Sequence, residues 1–471
     1  MNLVWLRNDL RIEDNPALHH AAQQNDVCCV YVVTPKQWQQ HQDAPSKIAF
    51  WRQRLIALQS DLNALNIPLK IISASDYSDI PQKMLALAEH LSINSLFFNE
   101  EYPLNEKMRD DDVTNILQQH SYKVCRYHGD VIMPPGTVKT QQDATYKVFT
   151  PFSRQWHKCA GDQALNTVAA PKQQAASYLS LQDDIEQCWT PSLQNHRHDL
   201  WPVDSDAIHQ RMTTFCVNKS SRYKEYRDFP SIHGTSTLSP YLTCGAISAR
   251  QCIAVMRQHN EDWRSNQWVT EIIWREFYRH LLCAYPHLSR SENFIATKHP
   301  IPWNNDEAQF NAWCEGRTGY PIVDAAMKQL VQTGWMHNRL RMITAAFLTK
   351  LLLVDWRKGE AFFMLHLLDG DYASNNGGWQ WAASTGADAA PYFRIFSPER
   401  QSERFDKEGK FIKKLLPELS TLHAKNIHTP SESDRLSCQY PAPIVDYKMA
   451  RQRALEEYAT AMGKEKKIEK D

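Results

Sequence analysis

The sequence predicts two fold classes in succession: an α/β N-terminal domain on a doubly wound, five-stranded parallel sheet, then an all-α C-terminal domain. Residues 1–130 alternate short β-branched or aromatic runs with stretches of helical apolar spacing, the pattern of βαβ units. Beyond about residue 201 the strand-like runs stop and a 3.6-residue periodicity takes over. Between them, residues 131–200 shift to Pro, Gln, Asp and Ser, as expected of a long surface connection. The expected organisation is therefore 1–130, a connection over 131–200, and 201–471.

Taken in order, residues 3–6, 27–33, 69–72, 95–99 and 123–127 read as strands, with helices over 47–65 and 79–91. Met133-Pro134-Pro135-Gly136 opens the connection, which carries a short helix near 152–158. The C-terminal part predicts helices over 204–216, 248–258, 263–284, 320–333, 338–354 and 360–368. Residues 461–471 are charged and expected to fray.

Parallel sheets bind ligands at the carboxyl ends of their strands. Yet the chain has no G-x-G-x-x-G and no G-x-x-x-x-G-K-[ST], which disfavours an ordinary phosphate-cradling loop. No apolar run approaches the ~18 residues a membrane helix needs. A strand-like L-V-W-L at residues 3–6 stands where a leader would be, so an intracellular, cytoplasmic protein is expected. None of the eleven cysteines forms a C-x-x-C pair, so neither a metal site nor a disulfide framework is expected. The net charge is zero, but residues 1–130 hold 12 Lys and Arg against 16 Asp and Glu, and the rest 41 against 37. A polyanion, if there is one, would meet the C-terminal part. Ten of the fifteen tryptophans also lie beyond residue 200. Most are core by default, with a few available for stacking or electron transfer.

Three clusters carry chemistry. Glu271, Trp274 and Tyr278 recur at i, i+3, i+7, placing a carboxyl and two rings on one helix face. Amphipathic packing explains the rings, but a carboxyl on that stripe is costly unless paired or unless its proton is useful. In Gly334–Met342, Asn338 and Met342 share a face at i, i+4 while Arg339 and Arg341 project elsewhere; a plain solvated helix start is the bland alternative. In 369–382, two acids (Asp369, Asp371), the pairs Asn375-Asn376 and Gly377-Gly378, and Trp379 and Trp381 crowd one stretch. Glycines that admit close backbone approach, carboxyls and large rings together favour a flat aromatic nucleotide cofactor over a polar turn leading into packed aromatics.

The strings Y-K-E-Y-R-D-F-P at 223–230, T-S-T-L-S at 235–239, E-I-I-W-R-E-F-Y at 271–278, G-Y-P-I-V-D-A-A at 319–326, 333–342 and 369–384 resemble the photolyase/cryptochrome family. The similarity is greatest to bacterial class I photolyases for cyclobutane pyrimidine dimers, and it runs from the N-terminal W-L-R-N-D-L-R to about residue 419.

The resemblance implies FAD held in the helical domain. Tyr223, Thr235, Ser236, Thr237, Leu238, Ser239 and Trp268 match its phosphate and sugar contacts; only the backbone of Thr237 is expected to matter. Asp369, Gly370, Asp371 and Arg341 match groups around ribose and flavin, and Asn375 the amide at flavin N5. Trp379, Trp356 and Trp303 match the family's three-tryptophan electron wire. Glu271 matches the carboxyl that hydrogen-bonds the dimer, Trp274 and Trp381 the rings that cradle it, and Asn338 and Met342 the rest of that pocket. Arg227, Arg275, Tyr278, Arg339 and Gln401, with Glu271, Trp274 and Asn338, match positions at the DNA. The lesion must be flipped out to reach such a site. The implied mechanism is electron donation from excited FADH⁻ to the dimer, ring opening, and return of the electron. His41, Asn105 and Glu106 match contacts to a 5,10-methenyltetrahydrofolate antenna; Ser289-Arg290 stands where relatives often carry Cys-Lys, and a deazaflavin antenna is the alternative. A monomer acting on damaged DNA, without a membrane, is expected.

Three other readings compete. A signalling cryptochrome shares fold and FAD, but Glu271 with Trp274, Trp381, and a chain ending at 471 without a long tail favour repair. A photolyase for (6-4) photoproducts would want a histidine pair, and Met342 occupies one such position. A dark redox enzyme gives no reason for the tryptophan wire.

Overall fold

The computed structural model describes residues 1–189, 197–304 and 306–463. Part of the Pro- and Ser-rich stretch of the expected connection, and all of the expected frayed tail after residue 463, lie outside the described residues. Two compact units form: Met1–Ser221 with Ser236–Ser289 and Leu368–Ala373, and Arg222–Thr235 with Arg290–Leu367 and Ser374–Asp471. They cut the chain differently from the three sequence segments. One reason is the helix Phe149–Cys159: Phe152 packs on Phe277 and His280 of the Gln267–Ala284 helix, with ring centroids 5.2 and 5.0 Å apart. Buried rings thus tie the expected connection and a C-terminal helix to the first unit.

In the first unit, β1 (Asn2–Leu6), β2 (Val27–Val33), β3 (Leu69–Ser73), β4 (Ser95–Asn99) and β5 (Lys123–Tyr127) form one parallel sheet in the order β3-β2-β1-β4-β5. Val4 stands opposite Cys29 on one side and Phe97 on the other. β1, β2 and β4 are buried at every residue, as a sheet covered on both faces requires. Leu3 and Trp5 face a core with Met84 of the Ile80–Leu91 helix and Val113 of the Leu104–Gln119 helix. The Pro16–Ala22 helix starts on Asn15, whose side chain accepts from the Leu18 N–H, with Pro16 in the first turn. The α/β reading of this region stands.

The Leu104–Gln119 helix was not anticipated, and its buried stripe explains why: Arg109 and Asp110 share it with Val113 and Leu117. These charges are paired internally, Arg109 with Glu101 at 2.6 Å and Asp110 with Arg7 at 3.2 Å, so no apolar period betrays the helix.

The second unit is helical around a core that includes Trp313, Leu340, Trp356, Phe363 and Trp379. The expected 338–354 helix is an α-helix over Asn338–Ala346 followed by a π-turn at Phe347–Leu351. All five residues of that turn are buried, including Lys350, whose Nζ donates to Ser384 Oγ at 2.8 Å and lies 3.3 Å from the Tyr458 ring centre. The expected 360–368 helix spans Trp356–Met364 instead, because the Asp355 side chain caps it by accepting from the Arg357 N–H. Residues Tyr372–Ala383 are a single helix that runs through both glycines.

Candidate functional site

In the first unit, Asn266 caps the Gln267–Ala284 helix by accepting from the Trp268 N–H at 2.8 Å. Trp268 is thereby fixed, and its indole N–H donates to Ser236 Oγ at 3.2 Å, to which the Leu238 N–H also donates at 3.4 Å. The neighbouring Thr237 has a left-handed φ of 53°, and Arg211 donates to its hydroxyl at 3.2 Å. Ser236 to Ser239 is therefore a tight hydroxyl-bearing loop beside a guanidinium.

One turn further along the helix, Glu271 accepts from Gln267 Nε2 at 3.0 Å. Trp274 stacks on Phe149 with centroids 3.7 Å apart and planes 6° from parallel, and meets Tyr278 at 5.6 Å. The stripe read from sequence is thus assembled. Phe149, which braces Trp274 from the expected connection, carried no local sequence signal because it acts only through tertiary packing. Arg275 and Arg279 turn away from this stripe to Asp130, and Arg279 also donates to Asp371 at 2.9 Å. Asp369 and Gly370 are pinned through their carbonyls, by Thr243 Oγ1 at 3.4 Å and Lys47 Nζ at 2.6 Å.

Around the same unit's sheet, His41, Asn105 and Glu106 come together. His41 Nε2 lies 3.2 Å from Asn105 Nδ2, and its Nδ1 lies 3.5 Å from Glu106. Gln37 contacts the same His41 nitrogen at 2.8 Å and the Tyr77 hydroxyl donates to Glu106 at 3.2 Å, two neighbours missed in the sequence. Ser289 Oγ accepts from the Leu104 N–H at 3.2 Å, beside Asn105.

In the second unit, His337 caps the Asn338–Ala346 helix by accepting from the Arg339 N–H at Nδ1. Burial pushes its ring pKa down to about 4, so it stays a neutral acceptor. Asn338 is exposed and Met342 half-buried on one face. Arg341 Nε donates to the Met336 carbonyl at 2.8 Å. Arg339 donates to Asp228 at 2.9 Å and lies 4.4 Å over Phe405, while Arg227 stands 3.8 Å from the same Asp228 and 5.7 Å over the Tyr223 ring. Gln401 is half-buried on the Pro398–Phe405 helix, and Thr235 is half-buried as well.

On the Tyr372–Ala383 helix, Asn375 Nδ2 donates to the Glu360 carbonyl at 3.1 Å, and Asn376 Nδ2 to the Glu360 carboxyl at 2.9 Å. Burial pushes the Glu360 carboxyl up to about 7. Trp379 is buried between Phe363, at 4.9 Å, and Trp313, at 6.0 Å. Trp356 is fully buried with its N–H on Asn293 at 3.0 Å, and Trp303 packs against the same apolar core. All three expected wire members therefore share one core; Trp381 is half-buried.

Does this chemistry fit FAD? The hydroxyls of Ser236 and Thr237 beside Arg211 suit the anionic oxygens of a pyrophosphate. Asn375 and Gly378 share a helix face at i, i+3, and a Cβ built on Gly378 meets nothing within 4 Å, which leaves room for a flat ring against the backbone.

These features define a flavoprotein with an α/β N-terminal fold and a helical FAD-binding part. The family described as DNA photolyase matches residues 2–173, and the FAD binding domain of DNA photolyase matches residues 268–460. A deoxyribodipyrimidine photo-lyase from Vibrio cholerae is 42% identical over 474 residues, covering 98% of this chain and 100% of the relative. A bacterial class III photolyase from Agrobacterium tumefaciens superposes with a TM-score of 0.88 at 33% identity, over 98% of both chains. A Synechocystis cryptochrome follows at 0.85 and 26% identity, over 97% of this chain and 98% of its own. The chain belongs to the DNA photolyase family. Among the described residues, no helix is long and apolar enough to cross a membrane.

Proposed function

We propose that this protein splits cyclobutane pyrimidine dimers in DNA with the energy of absorbed light. The observation that carries the reading is the Glu271–Trp274–Tyr278 face, with Trp274 held rigid on Phe149, in a chain alike end to end to a deoxyribodipyrimidine photo-lyase. Bound FAD, reduced and excited, supplies the electron that opens the cyclobutane ring and receives it back.

The protein's own part is position and electrostatics. Arg227, Arg339 and Gln401 engage the strand near the lesion, and the flipped dimer is received by Trp274, Trp381, Asn338 and Met342. A ring already stacked, as Trp274 is, loses little freedom on binding. The Glu271 carboxyl hydrogen-bonds the dimer as charge develops on it. Ser236, Thr237, Leu238, Ser239, Thr235, Tyr223 and Trp268 hold the phosphates and sugar, while Asp369, Gly370, Asp371, Arg341 and Asn375 hold the ribose and flavin. Trp379, Trp356 and Trp303 return electrons to the flavin from the surface. His41, Asn105 and Glu106 hold a folate antenna, 5,10-methenyltetrahydrofolate. In this reading residues 1–130 harvest light, 131–200 connect, and 201–471 catalyse, in a cytoplasmic monomer.

The likeness to a cryptochrome favours one alternative, signalling without repair. Light-dependent restoration of thymines in an oligonucleotide carrying one dimer separates the two. We expect repair only under blue light, and repair slowed roughly tenfold by Glu271→Ala. Flavin binding without repair would move the protein to the signalling branch.

A further inference from the structure

Arg275 follows Trp274 directly in the chain, and resemblance alone suggests it as a DNA contact. Its guanidinium is engaged elsewhere. Nη1 donates to the Asp130 carbonyl at 2.6 Å and Nη2 to the Asp130 carboxylate, and the side chain is only 12% exposed. Arg279, one turn on, donates through Nε to the other oxygen of that carboxylate. Its two terminal nitrogens reach Asp371 at 3.3 and 2.9 Å. Four charges thus alternate in a row: Arg275, Asp130, Arg279, Asp371.

Burial alone would push the Asp130 carboxyl up, but the Arg275 and Arg279 guanidiniums hold it well below the usual carboxylate range. A cation held by two hydrogen bonds to one residue, one to the Asp130 carbonyl and one to its half-buried carboxylate, has little left for a phosphate, and a phosphate ligand needs exposure. The sharing of Asp130 has a further consequence. With Arg275 occupying one oxygen, Arg279 meets the carboxylate through Nε alone and keeps its fork for Asp371. Without Arg275, both oxygens of Asp130 become available to Arg279, and the grip on Asp371 loosens.

We propose that Arg275 is a positioning residue for the flavin, not a DNA ligand: with Arg279 it clamps Asp130, and this frame sets where Asp371 meets the cofactor. The proposal rests on the reading of Asp371 as a flavin contact.

The test compares wild type, Arg275→Gln and Arg275→Lys in two assays on flavin-loaded protein. One is the rate of flavin release, with circular dichroism in the flavin absorption band. The other is the salt dependence of binding to a duplex bearing one thymine dimer. We expect Arg275→Gln to release flavin roughly three- to tenfold faster and to alter the flavin band, with Arg275→Lys between it and wild type because it keeps charge without the fork. The log–log salt slope should match wild type in both. A slope shallower by about one, with flavin release unchanged, is what loss of a phosphate contact gives, and it would overturn the proposal. If Arg275→Gln does not fold, Arg275→Lys decides by the same two readouts. Wild-type protein that fails to retain flavin would sink the functional reading and this proposal together; normal retention with an unaltered variant sinks only the latter.

Discussion

Gly359 lies in the Trp356–Met364 helix, directly against the indole expected to stand nearest the flavin. A Cβ added there would meet Trp379 Cη2 at 2.2 Å and Cζ3 at 2.4 Å, and Leu348 Cδ2 at 2.7 Å. Ordinary contact begins near 3.4 Å, so the ring would have to move by more than about 1 Å. Trp379 is 2% exposed and held between Phe363 and Trp313, so it has no free direction to move in. Helix propensity alone would make Gly359→Ala stabilising by about 0.5–1 kcal/mol. Overpacking a rigid core costs about 1–3 kcal/mol, and with three clashes the upper half of that range applies. The expected net effect is a loss of about 1–2.5 kcal/mol, read as a lower urea midpoint with an unchanged slope. Photoreduction of the bound flavin should slow in the same variant if the displaced indole carries electrons as the family resemblance implies. Stability equal to or above wild type would refute the reasoning, since it would mean the Trp379 side of the core yields at little cost.

The Glu360 carboxyl supplies a pH signature. Its folded pKa of about 7 stands above the ordinary 4.5, so between these values the folded state binds more protons than the unfolded one. Its contribution is therefore fully present below about pH 4.5 and is lost as pH rises towards 7, by a few kcal/mol at most. Urea unfolding across pH should show wild type losing stability relative to Glu360→Gln over that window, and parallel curves would contradict the assignment. Asp228 stands beside two arginines expected at the DNA, Arg339 at 2.9 Å and Arg227 at 3.8 Å. Asp228→Asn should tighten binding of dimer-bearing duplex roughly threefold to tenfold at low salt, the gain shrinking as salt rises; fluorescence anisotropy would detect it.

The α/β character of residues 1–130 was legible because a parallel sheet covered on both faces needs continuous apolar strands, and β2 and β4 begin and end where the β-branched and aromatic runs do. The Glu271 stripe was legible for a similar reason, since i, i+3, i+7 is fixed by helix geometry alone. Where charge replaced apolar residues on a buried face, periodicity failed, as with Arg109 and Asp110 in the Leu104–Gln119 helix. Gly377 and Gly378 each cost about 1 kcal/mol in a helix interior, yet the helix runs through them, because the packing of Trp379 outweighs that cost.

By itself, then, the sequence determined which segments are strands, which residue types share a helix face, and, through long motifs, the family. Only the tertiary structure decided who partners whom: that Phe149 braces Trp274, that Gln37 and Tyr77 join the His41 cluster, and that Arg275 spends its charge on Asp130. The physical reason is one of range. Local geometry repeats every two or 3.6 residues and leaves its period in the chain, whereas Phe149 and Trp274, or Asp130 and Arg275, meet across more than a hundred residues. No local pattern records such a meeting; only the packing of the whole does.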